Sequence, residues 1–266
     1  MMPRVVVIEN VPDLAGKYGD ILENALDELR FDENGKRVYF VAYKILTASE
    51  FGVPQKRRRL IVIAVRVYVA ATCGITSDDD VKRMFPEPTT LEEPVTVRSA
   101  FEGLVQSKSD TEPWFTAMST SPSARILPIL FRDPQKFPEP KWIKPRHVGL
   151  GSASRYSLVR LDWDLPAATM TAAGQEPDSR CGVVHPVEPR KPSIPEQKRL
   201  HTFPDDYVFP GTLGQAAERL GNAVPPLLMR AIAQSVYEKI LRSFHEAEAK
   251  SDSDASPQAN KKKSAV

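Results

Sequence analysis

The sequence predicts an α/β protein: a strand-and-helix portion, a stretch that is loop-rich and β-containing, and a C-terminal portion in which helices return. Three observations predict it. Val5-Val6-Val7-Ile8 is a continuous apolar run, suited to a strand buried on both faces. Leu14, Tyr18, Ile21, Leu22, Ala25, Leu26 and Leu29 then recur at helical spacing. From about residue 70 to 190 prolines gather, helical periodicity fades and short turn-bounded runs take over.

The elements follow in order. Asp20 and Glu23 are spaced as a capping pair for the first helix, and Asp32-Glu33-Asn34-Gly35 has the composition of a turn. Val38 to Leu46 is rich in β-formers and Leu60 to Val69 reads as a further apolar strand, with Ser49 to Arg59 between them. Helices return after Pro195. Val224, Leu227, Leu228, Ala231, Ile232, Val236, Ile240 and Leu241 make one amphipathic face, and Pro225 and Pro226 stand at its start, where proline is tolerated. The chain is polar from Glu246 and closes on Lys261-Lys262-Lys263, which predicts a disordered tail. Four stretches result: 1–69, 70–190, 191–245 and 246–266.

Composition narrows the class. Among 266 residues, 41% are hydrophobic and 26% charged, which excludes disorder throughout and collagen-like repetition. With 36 basic and 34 acidic residues, the net charge of +2 demands no polyanionic partner. Locally, residues 125–160 carry 8 basic and 2 acidic side chains, a stretch that either follows a phosphate backbone or forms a solvated loop surface. Cys73 and Cys181 cannot make a disulfide framework, a four-cysteine zinc site or a CxxC pair, which reads as a reducing compartment. His147, His185, His201 and His245 show no metal-ligand spacing, so no metal is expected. The segment MMPRVVVIENVPDL does not read as a secretory leader. The longest apolar stretch, Leu60 to Ile75, is broken by Arg66 and too short to span a bilayer, so no membrane partner is expected.

Several residues could carry chemistry. Glu9 and Asn10 follow directly on the first apolar run, where strand ends line ligand crevices in open sheets, although a turn or helix cap would use the same pair. Gln55-Lys56-Arg57-Arg58-Arg59 leads into a strand, and alternation puts Gln55, Arg57 and Arg59 on one side with Lys56 and Arg58 on the other. Planar guanidinium donors on one face suit phosphate or base carbonyl oxygens, while a solvated basic edge is the plainer alternative. Gly221-Asn222-Ala223-Val224-Pro225-Pro226 reads as a loop entering a helix N-terminus, which attracts ligand oxygens, and Asn222 can also cap that helix.

Together, ENV at Glu9–Val11, GVPQKRRRL at Gly52–Leu60, RLHTFPDDYVF at Arg199–Phe209 and GNAVPP at Gly221–Pro226 resemble motifs VI, VIII, IX and X of the DNA cytosine-C5 methyltransferases, in the family's order. The tract RLDWDLPAATMT at Arg160–Thr171 resembles the end of that family's target-recognition region, and the resemblance covers essentially residues 3–245. It implies a partial Rossmann-like methyltransferase sheet with an inserted target-recognition lobe, S-adenosylmethionine as cofactor and duplex DNA as substrate. In the implied reaction a cysteine thiolate adds to C6 of a flipped cytosine, and C5 then takes the methyl group. Glu9 would hold the cytosine N3 and amino edge, with Asn10 placing the neighbouring loop. Arg59 would contact the base carbonyl oxygen, Arg57 the loop or phosphate beside it, and Gln55 would support the DNA contact. Thr169 and Thr171 would touch the DNA strand, and Asn222 and Val224 would lie against the cofactor.

One departure is large. The family's cofactor loop and its Pro-Cys nucleophile both precede ENV, and neither Thr72-Cys73-Gly74 nor Arg180-Cys181-Gly182 matches the nucleophile segment. The sequence thus reads as the C-terminal portion of such an enzyme, working with a separate N-terminal subunit or derived from a truncated gene. Without the rest of the sheet, Val5–Ile8 is expected to be an exposed hydrophobic edge. A non-catalytic DNA-binding subunit and an inactive remnant are the alternatives. The resemblance places the protein in a bacterial cytoplasm, associated with the nucleoid, or in a nucleus if its source is eukaryotic.

Overall fold

The computed structural model describes residues 2–120, 124, 142–143, 157–176, 179 and 181–255. The chain divides into two compact units, one of residues 1–46, 58–87 and 230–266 and the other of residues 47–57 and 88–229.

The first unit is built on a three-stranded sheet. Its elements are β1 (Val5–Asn10), a 3₁₀ turn at Pro12–Leu14, α1 (Gly19–Arg30), β2 (Tyr39–Thr47), β3 (Arg58–Arg66), α2 (Val67–Thr72) and α3 (Asp78–Lys82), with sheet order β1-β3-β2. β1 and β3 are antiparallel, Val5 facing Val65 and Glu9 facing Ile61. Helix α1 buries Leu22 and Leu26 against Tyr39 and Val41 of β2 and Leu60, Val62 and Ala64 of β3. Each buried leucine contributes about 1.5–3 kcal/mol. Asp78 at the start of α3 receives Arg30 Nε at 3.0 Å, Arg37 Nη1 at 2.8 Å and the Val41 amide at 3.0 Å, so one carboxylate ties three elements together.

The second unit adds α4 (Val97–Phe101), α5 (Lys108–Thr120), β4 (Trp142–Ile143), β5 (Ser157–Arg160), α6 (Ala172–Gln175), β6 (Cys181–Val184), α7 (Ile194–Leu200) and α8 (Leu213–Asn222). β5 pairs with β4 antiparallel and with β6 parallel. Val97, Leu161, Ala167, Met170, Val183 and Leu200 form its core. Helix α9 (Pro226–Val236) leaves this unit, and a π-helical turn (Tyr237–Leu241) and α10 (Arg242–Ala255) complete the first.

Several sequence expectations change. The Val5–Ile8 run, which by composition alone suits a strand buried on both faces, is instead the exposed hydrophobic edge expected of a partial sheet, with Val7 37% and Ile8 38% exposed. The first helix starts at Gly19, not Leu14, because Pro12–Leu14 closes a tighter turn. Its N-cap is Tyr18 without a side-chain cap bond, so Asp20 and Glu23 do not form a capping pair. The apolar stretch after Leu60 turns helical at Val67, since a short apolar run does not distinguish strand from helix. The 70–190 stretch holds more helix than its prolines suggest. Side-chain caps from Ser77 and Thr96 start α3 and α4. Pro113 is carried inside α5. The tail expected to be disordered from Glu246 is helical as far as Ala255, where Ala, Glu and Lys favour helix. Residues 256–266, and most of the basic 125–160 stretch, lie outside the described residues.

Candidate active site

The candidate residues fall into two sets, one in each unit. In the first, Glu9 and Asn10 are the last residues of β1 rather than residues beyond it. Asn10 turns its Oδ1 onto the Val11 amide at 2.8 Å, ending the strand. Glu9 faces Ile61, and Arg59 lies two residues earlier along β3 on the same face, the diagonal position from which long side chains meet. Arg59 Nε stands 2.6 Å from Glu9 Oε1, with side chains 10% and 25% exposed. The N–H is poorly aligned with that oxygen, so the contact is a charge pair rather than a well-formed hydrogen bond. Arg59 Nη1 also donates to the Arg58 carbonyl at 2.8 Å. Burial lowers the Arg59 pKa from its ordinary value, and the Glu9 carboxylate only partly opposes this. Among the described residues Glu9 Oε2 has no hydrogen-bond partner, so one carboxylate oxygen is engaged and one is open to a ligand.

The second set lies around Pro54–Arg57. This segment zips onto the Ala167–Met170 tract: Lys56 N donates to Ala167 O at 2.8 Å, Ala167 N to Pro54 O at 2.9 Å and Thr169 Oγ1 to Lys56 O at 2.8 Å. The alternation read from the sequence holds in burial, with Gln55, Arg57 and Arg59 enclosed and Lys56 and Arg58 exposed. Gln55 is fully buried, taking the Met170 amide on Oε1 at 3.1 Å and giving Nε2 to Leu200 O at 3.3 Å. Arg57, also fully buried, donates Nη1 to Met170 O at 2.6 Å and Nη2 to Gly221 O at 2.7 Å. In this geometry Gln55 and Arg57 tie the Ala167–Met170 tract to the ends of α7 and α8. Thr171, before α6, is exposed and Thr169 is half-buried.

Asn222 is the exposed last residue of α8 and does not cap α9, because Ala223 and Val224 intervene in a non-helical connection. Gly221 is required there: an added Cβ would lie 2.3 Å from Ala172 N. An exposed amide on Asn222 and the half-buried aliphatic Val224 are a donor set suited to one edge of an adenosyl group.

Sequence reasoning missed a buried polar network in the same unit. Glu196 is the N3 residue of a capping box on α7, taking the Ser193 amide on Oε2 at 2.8 Å. The same carboxylate receives Arg190 Nη1 at 2.7 Å and Nη2 at 2.8 Å, with both side chains 2% exposed. Burial raises the Glu196 pKa, but the Arg190 bonds outweigh it and hold the carboxyl below its ordinary range. His185 Nδ1 accepts the Glu188 amide at 3.1 Å and the Val187 amide at 3.3 Å, which requires that nitrogen to be unprotonated. Burial likewise lowers the His185 pKa. The signal was present as Ser193-Ile194-Pro195-Glu196, a capping-box spacing. His185, Glu188, Arg190 and Glu196, with Phe101, Trp163 and Gln106, line a cavity of about 380 Å³.

Neither cysteine carries the marks of a nucleophile. Cys73 Sγ donates to Ile240 O at 3.2 Å in the first unit. Cys181 Sγ lies 3.4 Å from Ser179 Oγ in the other unit. Among the described residues no helix is long and apolar enough to cross a membrane, and no cluster of His, Cys, Asp and Glu could hold a metal.

Comparison with known proteins bears directly on these motifs. Type II methyltransferase M.Eco47II of Escherichia coli is 31% identical over 245 residues, covering 88% of this chain and 54% of the relative. M.AplI of Arthrospira platensis is 30% identical over 237 residues, covering 88% of this chain and 56% of the relative. The chain therefore spans about half the length of the curated relatives it matches. Among solved structures, a DNA modification methyltransferase encoded within an E. coli prophage superposes with a TM-score of 0.58 at 21% identity, covering 90% of this chain and 70% of the other. The S. pombe Dnmt2 methyltransferase superposes with a TM-score of 0.52 at 14% identity, covering 90% and 67%. These two likenesses establish a shared methyltransferase fold. The profile of the family described as C-5 cytosine-specific DNA methylase matches residues 1–238, almost the whole described chain, and this protein belongs to that family.

Proposed function

We propose that this chain supplies the cytosine-holding pair and the target-recognition part of an S-adenosylmethionine-dependent DNA (cytosine-5)-methyltransferase. The observation that carries the reading is the Glu9–Arg59 pair at the end of the β1–β3 ladder. A cytosine flipped out of the duplex presents its N3 and exocyclic amine along one edge, with its carbonyl oxygen beside them. The open Oε2 of Glu9 accepts from the amine, and the guanidinium of Arg59 approaches the carbonyl oxygen. When a thiolate adds to C6, negative charge builds toward N3 and that oxygen. The fixed Arg59 guanidinium, aimed at that oxygen, stabilises it without reorganising. Arg59 holds Glu9 in place before the base arrives, so the pair is preorganised. C5 then attacks the methyl group, and loss of the C5 proton with expulsion of the thiolate restores the ring. The cofactor supplies an electrophilic methyl group, and Asn222 and Val224 would hold its adenosyl edge. Thr171, exposed beside the recognition tract, faces the DNA strand in this reading.

The thiolate itself comes from polypeptide outside this sequence, because Cys73 and Cys181 are engaged elsewhere. The type II bacterial relatives favour a role in DNA modification in a bacterial cytoplasm. The test is transfer of labelled methyl to unmethylated duplex DNA by this chain combined with the portion of the E. coli relative that it does not match. Glu9→Gln and Arg59→Ala should each lower turnover by about 10²–10³, with duplex binding within a few-fold of wild type. Wild-type turnover in either variant would defeat the role given to the pair.

A further inference from the structure

The cavity of about 380 Å³ within the second unit is the feature that the proposed chemistry leaves unused. Its volume falls in the range of small-ligand sites, about 300–1,000 Å³. Phe101, Trp163 and His185 make an aromatic wall. The Phe101 and His185 rings are stacked, 8° from parallel with centroids 6.0 Å apart. Trp163 stands edge-on to both, at 5.9 and 5.6 Å. Such a wall takes a flat ring by offset stacking or by edge-to-face contact. Thr111 of α5 and Glu188 complete the lining used below.

Most polar groups around the cavity satisfy one another. Glu196 accepts from Arg190, Gln106 and the Ser193 amide, and Gln106 Oε1 accepts from Ser193 Oγ. Two groups are left over. Because His185 Nδ1 accepts two backbone amides, the neutral ring carries its proton on Nε2. That N–H stands 3.6 Å from Glu196 Oε1, outside hydrogen-bond range, in a side chain only 7% exposed. Among the described residues it has no hydrogen-bond acceptor. Glu188 gives Oε2 to Arg190 Nε, and its Oε1 has no hydrogen-bond partner among the described residues. An enclosed donor without an acceptor is costly, and an occupant of the cavity that supplies one removes the cost.

We infer that this cavity is a binding site for a free purine nucleoside, whose ring lies against Phe101 and Trp163 while one edge bonds to His185 and Glu188. His185 Nε2 donates to an acceptor on that edge, and the neighbouring N–H of the base donates to Glu188 Oε1. Purines present an acceptor beside a donor in this way, as the ring nitrogen and amine of adenine or the carbonyl and ring N–H of guanine. A wall of three rings gives a two-ring base more contact than a one-ring base. Water alone is the competing occupant. Trp163 lies in the Arg160–Thr171 tract, and its carbonyl accepts the Arg98 amide at 2.9 Å, so an occupied cavity braces that tract. The inference does not rest on the proposed function.

The experiment titrates the full chain with adenosine and guanosine, read by calorimetry and by tryptophan fluorescence. One-site binding of at least one of them, with a Kd below about 1 mM, is expected. In the nitrogen-labelled chain the His185 Nε2 proton should move downfield as the site fills. Thr111→Phe fills the cavity and disturbs only a hydroxyl that bonds its own helix at Lys108 O, so it should abolish binding while melting is kept. Glu188→Ala should weaken binding about tenfold or more, the effect of losing one bond to a charged group. N6,N6-dimethyladenosine, which lacks the donor, should bind more weakly than adenosine by a similar factor. No saturable binding, which would leave water as the occupant, would overturn the proposal. So would binding indifferent to both Thr111→Phe and Glu188→Ala, or tighter binding of cytidine than of either purine. Displacement of the bound purine by a mixed-sequence single strand would overturn the assignment to a free nucleoside.

Discussion

Helix α8 contains two glycines for which the structure predicts opposite effects of the same substitution. At Gly221 an added Cβ would lie 2.3 Å from Ala172 N, 2.4 Å from Ala172 Cα and 2.6 Å from Thr171 C. All three are backbone atoms, so no rotamer change relieves the clash, and the start of α6 must retreat by about 1 Å. Arg57 bridges the two sides of that contact, 2.6 Å from Met170 O and 2.7 Å from Gly221 O. A retreat of that size carries one of these bonds beyond hydrogen-bond range. Overpacking costs about 1–3 kcal/mol, and loss of a bond from a charged donor a further 1.5–3 or so, so Gly221→Ala should cost about 3–5 kcal/mol. At Gly214 the nearest atom to an added Cβ is Thr212 Oγ1 at 4.0 Å, and the backbone is not left-handed. Gly214→Ala should therefore stabilise by about 0.4–1 kcal/mol, mainly by restricting the unfolded chain. Urea denaturation of the purified chain, followed by circular dichroism, reads both. Melting temperatures should differ by roughly 10 °C between the two variants. Stabilities within about 0.5 kcal/mol of each other would refute the claim that Gly221 is held by the close approach of α6, since propensity alone would then suffice.

Other predictions concern the buried network and acid. Arg190→Met strands the enclosed Glu196 carboxylate and should destabilise by about 3–5 kcal/mol, whereas Arg190→Met combined with Glu196→Leu should recover much of the loss. A double variant no better than the single one, measured by the same denaturation, would argue against charge burial as the cause. Stability should also fall with acid in two steps. His185 has a lowered pKa in the fold, so below its ordinary value of 6.5 the unfolded chain takes up a proton that the native state refuses. Glu196, also lowered, contributes stability that is present above its ordinary 4.5 and lost as pH falls through its folded value. His185→Gln should remove the upper step and leave the lower one, and a melting profile with an unchanged step below pH 6.5 would contradict the assignment.

Much of this protein was legible in its sequence. Local chemistry fixed the turn at Asp32–Gly35 and the strand that runs from Tyr39, and the alternation that encloses Gln55, Arg57 and Arg59 while exposing Lys56 and Arg58 could be read from spacing alone. The ordered motifs named the family, which the match over residues 1–238 establishes. They also singled out Glu9 and Arg59, residues that the fold then brings within 2.6 Å. What could not be read was direction and company. Alternation says that Arg57 faces one side but not that the side is filled by Met170 and Gly221, more than a hundred residues away. The capping box at Ser193–Glu196 was visible, yet its burial against Arg190 was not, because a cap is a local event and a buried ion pair needs walls from several elements. The apolar run at Val5–Ile8 by itself specified only a strand: its place at the sheet edge followed from the motifs that do not precede it, because a strand's own residues do not contain its neighbours.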